Sequence, residues 1–210
     1  YDAIAAKGLC GLALDTRGHG ESAKPHDPAQ YDREAMARDI FALLDHVGVE
    51  RAHLLGFSMG SHIALTAALT DAGRIDHLVV AGVGARIFDP PREEGAMAEA
   101  MEAASPDSIA DPMLRSFRHF ADEQKEDRLA LAACSRGARL PLTPDSLAAI
   151  RRPTLVVAGA RDQLAGPPQG LADAIPGAKA VTLPGCDHFS CIGHPLFKAS
   201  VFDFFDGWLE

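Results

Sequence analysis

Residues 53–65 read HLLGFSMGSHIAL, and the way the apolar run breaks at Gly56-Phe57-Ser58-Met59-Gly60 decides what this chain builds. A β-type run enters the break and a helical pattern leaves it. A serine with a glycine two positions to either side fits a strained strand-to-helix turn, because such a turn brings neighbouring backbones too close for larger residues. The turn would stand Ser58 at a helix N-terminus, where free N–H groups and the helix dipole favour a developing negative charge. The plainer alternative is a glycine-rich turn carrying a passive serine. The pattern G-x-S-x-G between a strand and a helix favours an exposed nucleophile, with the Met59 N–H aimed at an oxyanion.

Working outward, short apolar runs bounded by turn residues predict buried strands at Leu9–Leu14, Ala52–Phe57, Leu78–Val83, Thr154–Ala158 and Ala180–Leu183. Helical patterns alternate with them. Met36, Ile40, Leu43, Leu44 and Val47 recur at helical spacing, Met59–Leu69 follows the serine, and Pro168–Ile175 and Pro195–Leu209 each start on a proline. Strands alternating with helices predict an α/β fold, a mostly parallel sheet with helices on both faces. The strands are continuous apolar runs, as burial on both faces requires. The stretch 86–152 breaks this rhythm. It has no strand-like run and reads as an inserted block of three or four short helices, so the core is expected over 1–85 and 153–210.

Composition narrows the function. The 210 residues carry 20 basic and 29 acidic side chains, a net charge of −9, and 47% are apolar. An acidic, well-mixed globular chain has no electrostatic footprint for nucleic acid or an anionic membrane. No apolar run approaches the length needed to cross a bilayer. The four cysteines, at 10, 134, 186 and 191, lack metal-type spacing and are most simply reduced thiols. The first residues, YDAIAAKGLCGLAL, do not read as a natural beginning and say nothing of localisation; a cytoplasmic protein is the expectation.

A serine needs a base, and the base needs orienting. The segment TLVVAGARDQLA puts Asp162 just past a strand, and VTLPGCDHFS puts His188 just past the next. All three candidates then lie at the strand ends where open parallel sheets build their sites. Phe57, Arg86, Leu164 and Phe189, beside them or at the start of the inserted block, are the candidate pocket residues. His62, His194 and Asp187 read as structural, and Met97, Met101 and Met113 as core of the helical block.

These segments together resemble the α/β-hydrolase family. The elbow is one match; LDTRGHGES (Leu14–Ser22) is similar to the family's D-x-R-G-x-G-x-S turn, and GARDQ and GCDHF to its acid and histidine segments. The resemblance implies Ser58 as nucleophile, Asp162 as acid with Asp89 as the fallback, and His188 as general base. It implies a structural turn at His19, the block 86–152 as an inserted helical cap, and no metal or organic cofactor. Serine at the elbow, where haloalkane dehalogenases and epoxide hydrolases of this fold carry aspartate, leaves ester, thioester, lactone or C–C bond hydrolysis, acyl transfer, or perhydrolase chemistry. A small or medium carboxylic ester is the expected substrate, its hydrolysis running through an acyl-enzyme. A lactonase, a C–C hydrolase in which Arg86 holds a carboxylate, and a binding protein with little turnover are the alternatives. The resemblance also implies that the family's first strands, and the His-Gly loop giving the second oxyanion N–H, are not in this chain. One absent strand would lie between Leu9–Leu14 and Ala52–Phe57, so the chain is expected to be the C-terminal part of a longer protein.

Overall fold

The computed structural model describes residues 2–90 and 95–209. Along the chain these form α1 (Asp2–Ala5), α2 (Arg33–His46), β1 (Ala52–Phe57), α3 (Met59–Thr70), β2 (Ile75–Ala81), α4 (Ala96–Glu102), α5 (Pro112–Glu123), α6 (Arg128–Arg136), α7 (Pro144–Leu147), β3 (Thr154–Gly159), α8 (Pro168–Ala172), β4 (Lys179–Leu183) and α9 (Pro195–Phe205). They gather into two compact units. The larger takes the described residues of 32–94 and 138–210, the smaller those of 1–31 and 95–137.

The larger unit is built on a parallel sheet in the order β1-β2-β3-β4. Leu78 to Ala81 and Leu155 to Ala158 are fully buried, so both faces of the two central strands are covered. Alternate side chains divide between those faces. Val79, Ala81, Leu155, Val157 and Leu183 share one core with Phe197, Val201 and Phe204 of α9. Fully burying one such side chain stabilises the fold by about 1.5–3 kcal/mol. Local signals set the helix starts. The Asp32 carboxylate accepts the Ala35 N–H at 2.6 Å and caps α2, a contact typically worth about 1 kcal/mol. His194 caps α9 ahead of Pro195, its Nδ1 accepting the Leu196 N–H at 3.3 Å.

The expected strand at Leu9–Leu14 is not formed, which corrects the sequence reading. A strand exists by pairing, and among the described residues β1 pairs only with β2, leaving β1 at the sheet edge with Leu55 44% exposed. Residues 9–14 lie in irregular chain, Leu12 48% exposed. The expected strand Leu78–Val83 stops at Ala81, because Gly82 turns away with φ +65°.

From 86 to 152 the described residues are helical or irregular throughout, with no strand. The units divide at 95 and 137, however, and not at 86 and 152. Residues 138–150 belong with the sheet because Leu147 and Ile150 are fully buried there, while Arg33 N–H donates to the Ala138 carbonyl. In the smaller unit the 15–31 segment is fastened to α6. Tyr31 is fully buried and so close to Gly137 that a Cβ there would lie 2.3 Å from the Tyr31 carbonyl oxygen. The Gly20 N–H donates to Glu126, and His26 pairs with Asp127 at 2.9 Å. The Asp15 turn is held internally, Glu21 N–H donating to Asp15 and Ser22 Oγ to the Asp15 carbonyl. Among the described residues no helix is long and apolar enough to cross a membrane.

Candidate active site

Ser58 sits between β1 and α3 with φ 51° and ψ −115°. A non-glycine residue in such a conformation costs on the order of 1–3 kcal/mol and persists only where its surroundings hold it. Here the Ser58 N–H donates to the Ala81 carbonyl at the end of β2, at 2.8 Å. Gly56 is required, since a Cβ there would lie 2.3 Å from the Gly60 carbonyl oxygen. The first turn of α3 thus rests on the end of β1. Met59 is the first residue of α3, directly after Ser58.

Asp162 and His188 follow β3 and β4. Their loops are joined through backbone: Ala160 N–H donates to the Leu183 carbonyl at 2.8 Å and Arg161 N–H to that of Cys186 at 3.0 Å. A Cβ on Gly159 would fall 2.4 Å from the Cys186 carbonyl oxygen, so only glycine allows this approach. The result brings the three residues together. His188 Nδ1 is 2.9 Å from Asp162 Oδ2, and His188 Nε2 is 2.9 Å from Ser58 Oγ. A carboxylate can only accept, so Nδ1–H donates to Asp162, and Nε2 is the acceptor for the serine hydroxyl.

Asp162 Oδ1 accepts two further bonds, from the Leu164 and Ala165 N–H groups, both at 2.9 Å. Burial pushes this carboxyl up, but the bond from His188, the Ala165 amide, the His188 charge and the Leu164 amide outweigh it. The carboxyl stays below its ordinary range. Asp162 is 4% exposed and His188 5%, so the pair is shielded from water.

The candidate pocket residues fall into different places. The Phe57 ring lies against the His188 imidazole, centroids 5.0 Å apart, and Phe189 meets it edge-on at 5.7 Å. Leu164 contributes its amide to Asp162. Arg86 is exposed, and its backbone N–H donates to the Ala165 carbonyl at 3.1 Å. Asp89 ends a short 3₁₀ turn, and Asp187 is occupied by Ser190 in its own loop. The carboxylate paired with His188 is that of Asp162. Among the described residues no group of three or more His, Cys, Asp or Glu is placed to hold a metal ion.

Gly82 was not among the sequence candidates. A Cβ there would lie 2.8 Å from Phe57 Cε2 and 3.1 Å from His188 Cε1, so its bareness makes room for both rings. The signal was a glycine directly after the run LVVA.

The model of the alpha/beta hydrolase family matches residues 2–197. The chain belongs to that family. It is 32% identical over 170 residues to 3-oxoadipate enol-lactonase 1 of Acinetobacter baylyi, covering 72% of this chain and 60% of that protein. It thus spans about 60% of the length of this curated relative. The solved enol-lactonase of Burkholderia xenovorans LB400 superimposes with a TM-score of 0.74 at 29% identity, over 91% of this chain and 78% of that one. A hydrolase from Pseudomonas aeruginosa PA01 gives 0.65 at 31% identity, over 90% and 77%.

Proposed function

We propose that the protein is a serine hydrolase of small or medium carboxylic esters working through an acyl-enzyme. The observation that carries this is the unbroken relay from Ser58 Oγ through His188 to Asp162, each link 2.9 Å. Ser58 Oγ attacks the acyl carbonyl while its proton passes to His188 Nε2. The Met59 N–H, at the start of α3, stabilises the oxyanion. His188 returns the proton to the departing alkoxide, leaving the acyl group on Ser58. Water then gives a proton to His188 and attacks the acyl-enzyme, releasing the acid and restoring Ser58. Asp162 holds the imidazole with Nδ1–H toward itself throughout. Within the expected block 86–152, the part proposed as the cap is the described portion of 95–137, which groups apart from the sheet.

A lactone is a cyclic ester, and the likeness to two enol-lactonases favours it as the second reading. The same steps apply, with the leaving alkoxide still tethered to the acyl group. Full-length protein treated with a fluorophosphonate should label on Ser58, and Ser58→Ala should abolish both labelling and turnover. An acyl-length series of aryl esters beside a panel of lactones then sorts the two readings. A wild type that neither labels nor turns over any of them would favour a binding protein.

A further inference from the structure

Ser61 lies three residues past the proposed nucleophile and is fully buried. Its hydroxyl accepts the Ala81 N–H at 2.9 Å. Its one proton is shared between the carbonyls of Gly56, at 2.9 Å, and Ala81, at 2.8 Å. The Ala81 carbonyl is also the acceptor for the Ser58 N–H. One buried hydroxyl therefore touches Gly56 near the end of β1 and Ala81 at the end of β2, the latter through the carbonyl that also anchors the strained Ser58. The Ser61 N–H itself donates back to the Ser58 carbonyl at 2.9 Å. Ser58 is thus gripped from both of its peptide groups by a network centred on Ser61 and Ala81.

We infer that Ser61 is a positioning residue for the nucleophile: its hydroxyl ties the elbow to the end of β2 and so fixes where Ser58 Oγ stands relative to His188. A buried hydroxyl kept only to satisfy nearby backbone would affect stability alone. This one bonds the same carbonyl that fixes the strained φ of Ser58, so slack in it is transmitted to the reacting atom. A displacement of about 1 Å at a reacting group can cost about 100-fold in rate. The inference rests on Ser58 being the nucleophile.

The test compares full-length wild type with Ser61→Ala and Ser61→Cys, each assayed well below its own melting temperature. The readouts are the rate of fluorophosphonate labelling and kcat and KM for the best aryl ester. Ser61→Ala should lower the labelling rate and kcat by about 10- to 100-fold with KM held within about twofold, because the interaction lost acts on the reacting oxygen. Ser61→Cys, which keeps a weak donor and acceptor, should fall between. A folded Ser61→Ala at the wild-type labelling rate and kcat overturns the inference, as does a loss confined to KM. If Ser61→Ala does not fold, Ser61→Cys decides in the same way, since wild-type rates in it mean that the hydroxyl positions nothing. A wild type that does not label overturns the nucleophile reading and this inference with it.

Discussion

Gly82 and Phe57 are packed so tightly that a single added carbon on the glycine would fall 2.8 Å from the phenyl ring and 3.1 Å from the His188 imidazole behind it. The Phe57 ring also meets that imidazole directly, centroids 5.0 Å apart and planes tilted by 41°. Gly82 further sits at φ +65°, where a side chain is strained whatever the space. Gly82→Ala should therefore lower the fluorophosphonate labelling rate at least about tenfold by moving the imidazole. It should also destabilise the fold by about 1–3 kcal/mol through strain and overpacking. Labelling kinetics beside a urea titration check both; a wild-type labelling rate would mean that the rings have room to spare.

The backbone at Ser58 gives a second test, independent of activity. Ser58→Ala and Ser58→Gly both lose the hydroxyl and its bond to His188, but only glycine relieves φ 51°. In an ordinary helix alanine is more stable than glycine by about 1 kcal/mol. At this position the order should reverse, with Ser58→Gly the more stable by about 1 kcal/mol. In a domain of this size that is about 2–4 °C in Tm. A Tm for Ser58→Ala at or above that of Ser58→Gly would mean that the elbow is not strained.

What could be read in the string and what could not follow from this geometry. Thr154–Ala158 was legible because a strand buried on both faces reads as a short apolar run bounded by turn residues. Ala52–Phe57, an edge strand with His53 and Leu55 exposed, was legible from its apolar run breaking at G-x-S-x-G. Ser58, Asp162 and His188 were legible because each lies in the turn or loop that leaves such a run. Leu9–Leu14 is a short apolar run of the same kind, but a strand needs a partner, and the run itself does not say whether one is present. Ser61 escaped notice because a serine in the first turn of a helix usually faces water or caps. Only the crossing of α3 over β1 turns its hydroxyl into the ladder. The fastening of residues 15–31 to α6 depends on Tyr31 meeting Gly137 across more than a hundred residues, which no local pattern records.

Acid should weaken the fold through His62. Burial first, then the Arg33 and Arg139 guanidinium charges, push its imidazole from 6.5 down to about 4. The native state therefore keeps His62 neutral while the unfolded chain takes up a proton near pH 6.5. Between those values the unfolded state binds more protons, so stability is full above pH 6.5 and is lost as pH falls toward 4. The loss attributable to His62 at pH 5 is on the order of 2 kcal/mol. His53, lowered by burial and then by His77, acts in the same direction. Urea midpoints at pH 7.5 and 5 should separate in the wild type and draw together in His62→Gln. An equal separation in both would remove His62 as the cause.

The thiols should sort by burial. Cys10 is exposed, while Cys134, Cys186 and Cys191 are buried and none forms a disulfide. Burial first, then Cys186 and Asp162, push the Cys191 thiol up to about 12, so it has almost no thiolate at neutral pH. A thiol-reactive dye should therefore modify one group quickly in the native protein and all four in urea. Rapid modification of Cys191, located by peptide mapping, would show that the loop carrying His188 opens readily.

Asp162→Asn probes the link farthest from the serine. The wild-type carboxylate accepts three bonds, from the Leu164 and Ala165 amides on Oδ1 and from His188 on Oδ2. Asparagine has the same shape but one acceptor oxygen and a donor NH₂. If its oxygen serves the two amides, its NH₂ faces His188 Nδ1 and makes that nitrogen the acceptor. The ring proton then moves to Nε2, where it points at Ser58 Oγ and blocks proton transfer. The opposite orientation keeps the imidazole correct but leaves two buried N–H groups facing a donor, at about 1–3 kcal/mol each. The first arrangement is the cheaper, so the fold should survive and the chemistry should not. We expect kcat to fall by about 10³- to 10⁴-fold with the melting temperature little changed. A mutant retaining more than about a tenth of the wild-type kcat would show that Asp162 does not set the imidazole tautomer, and the search for the orienting acid would reopen at Asp89.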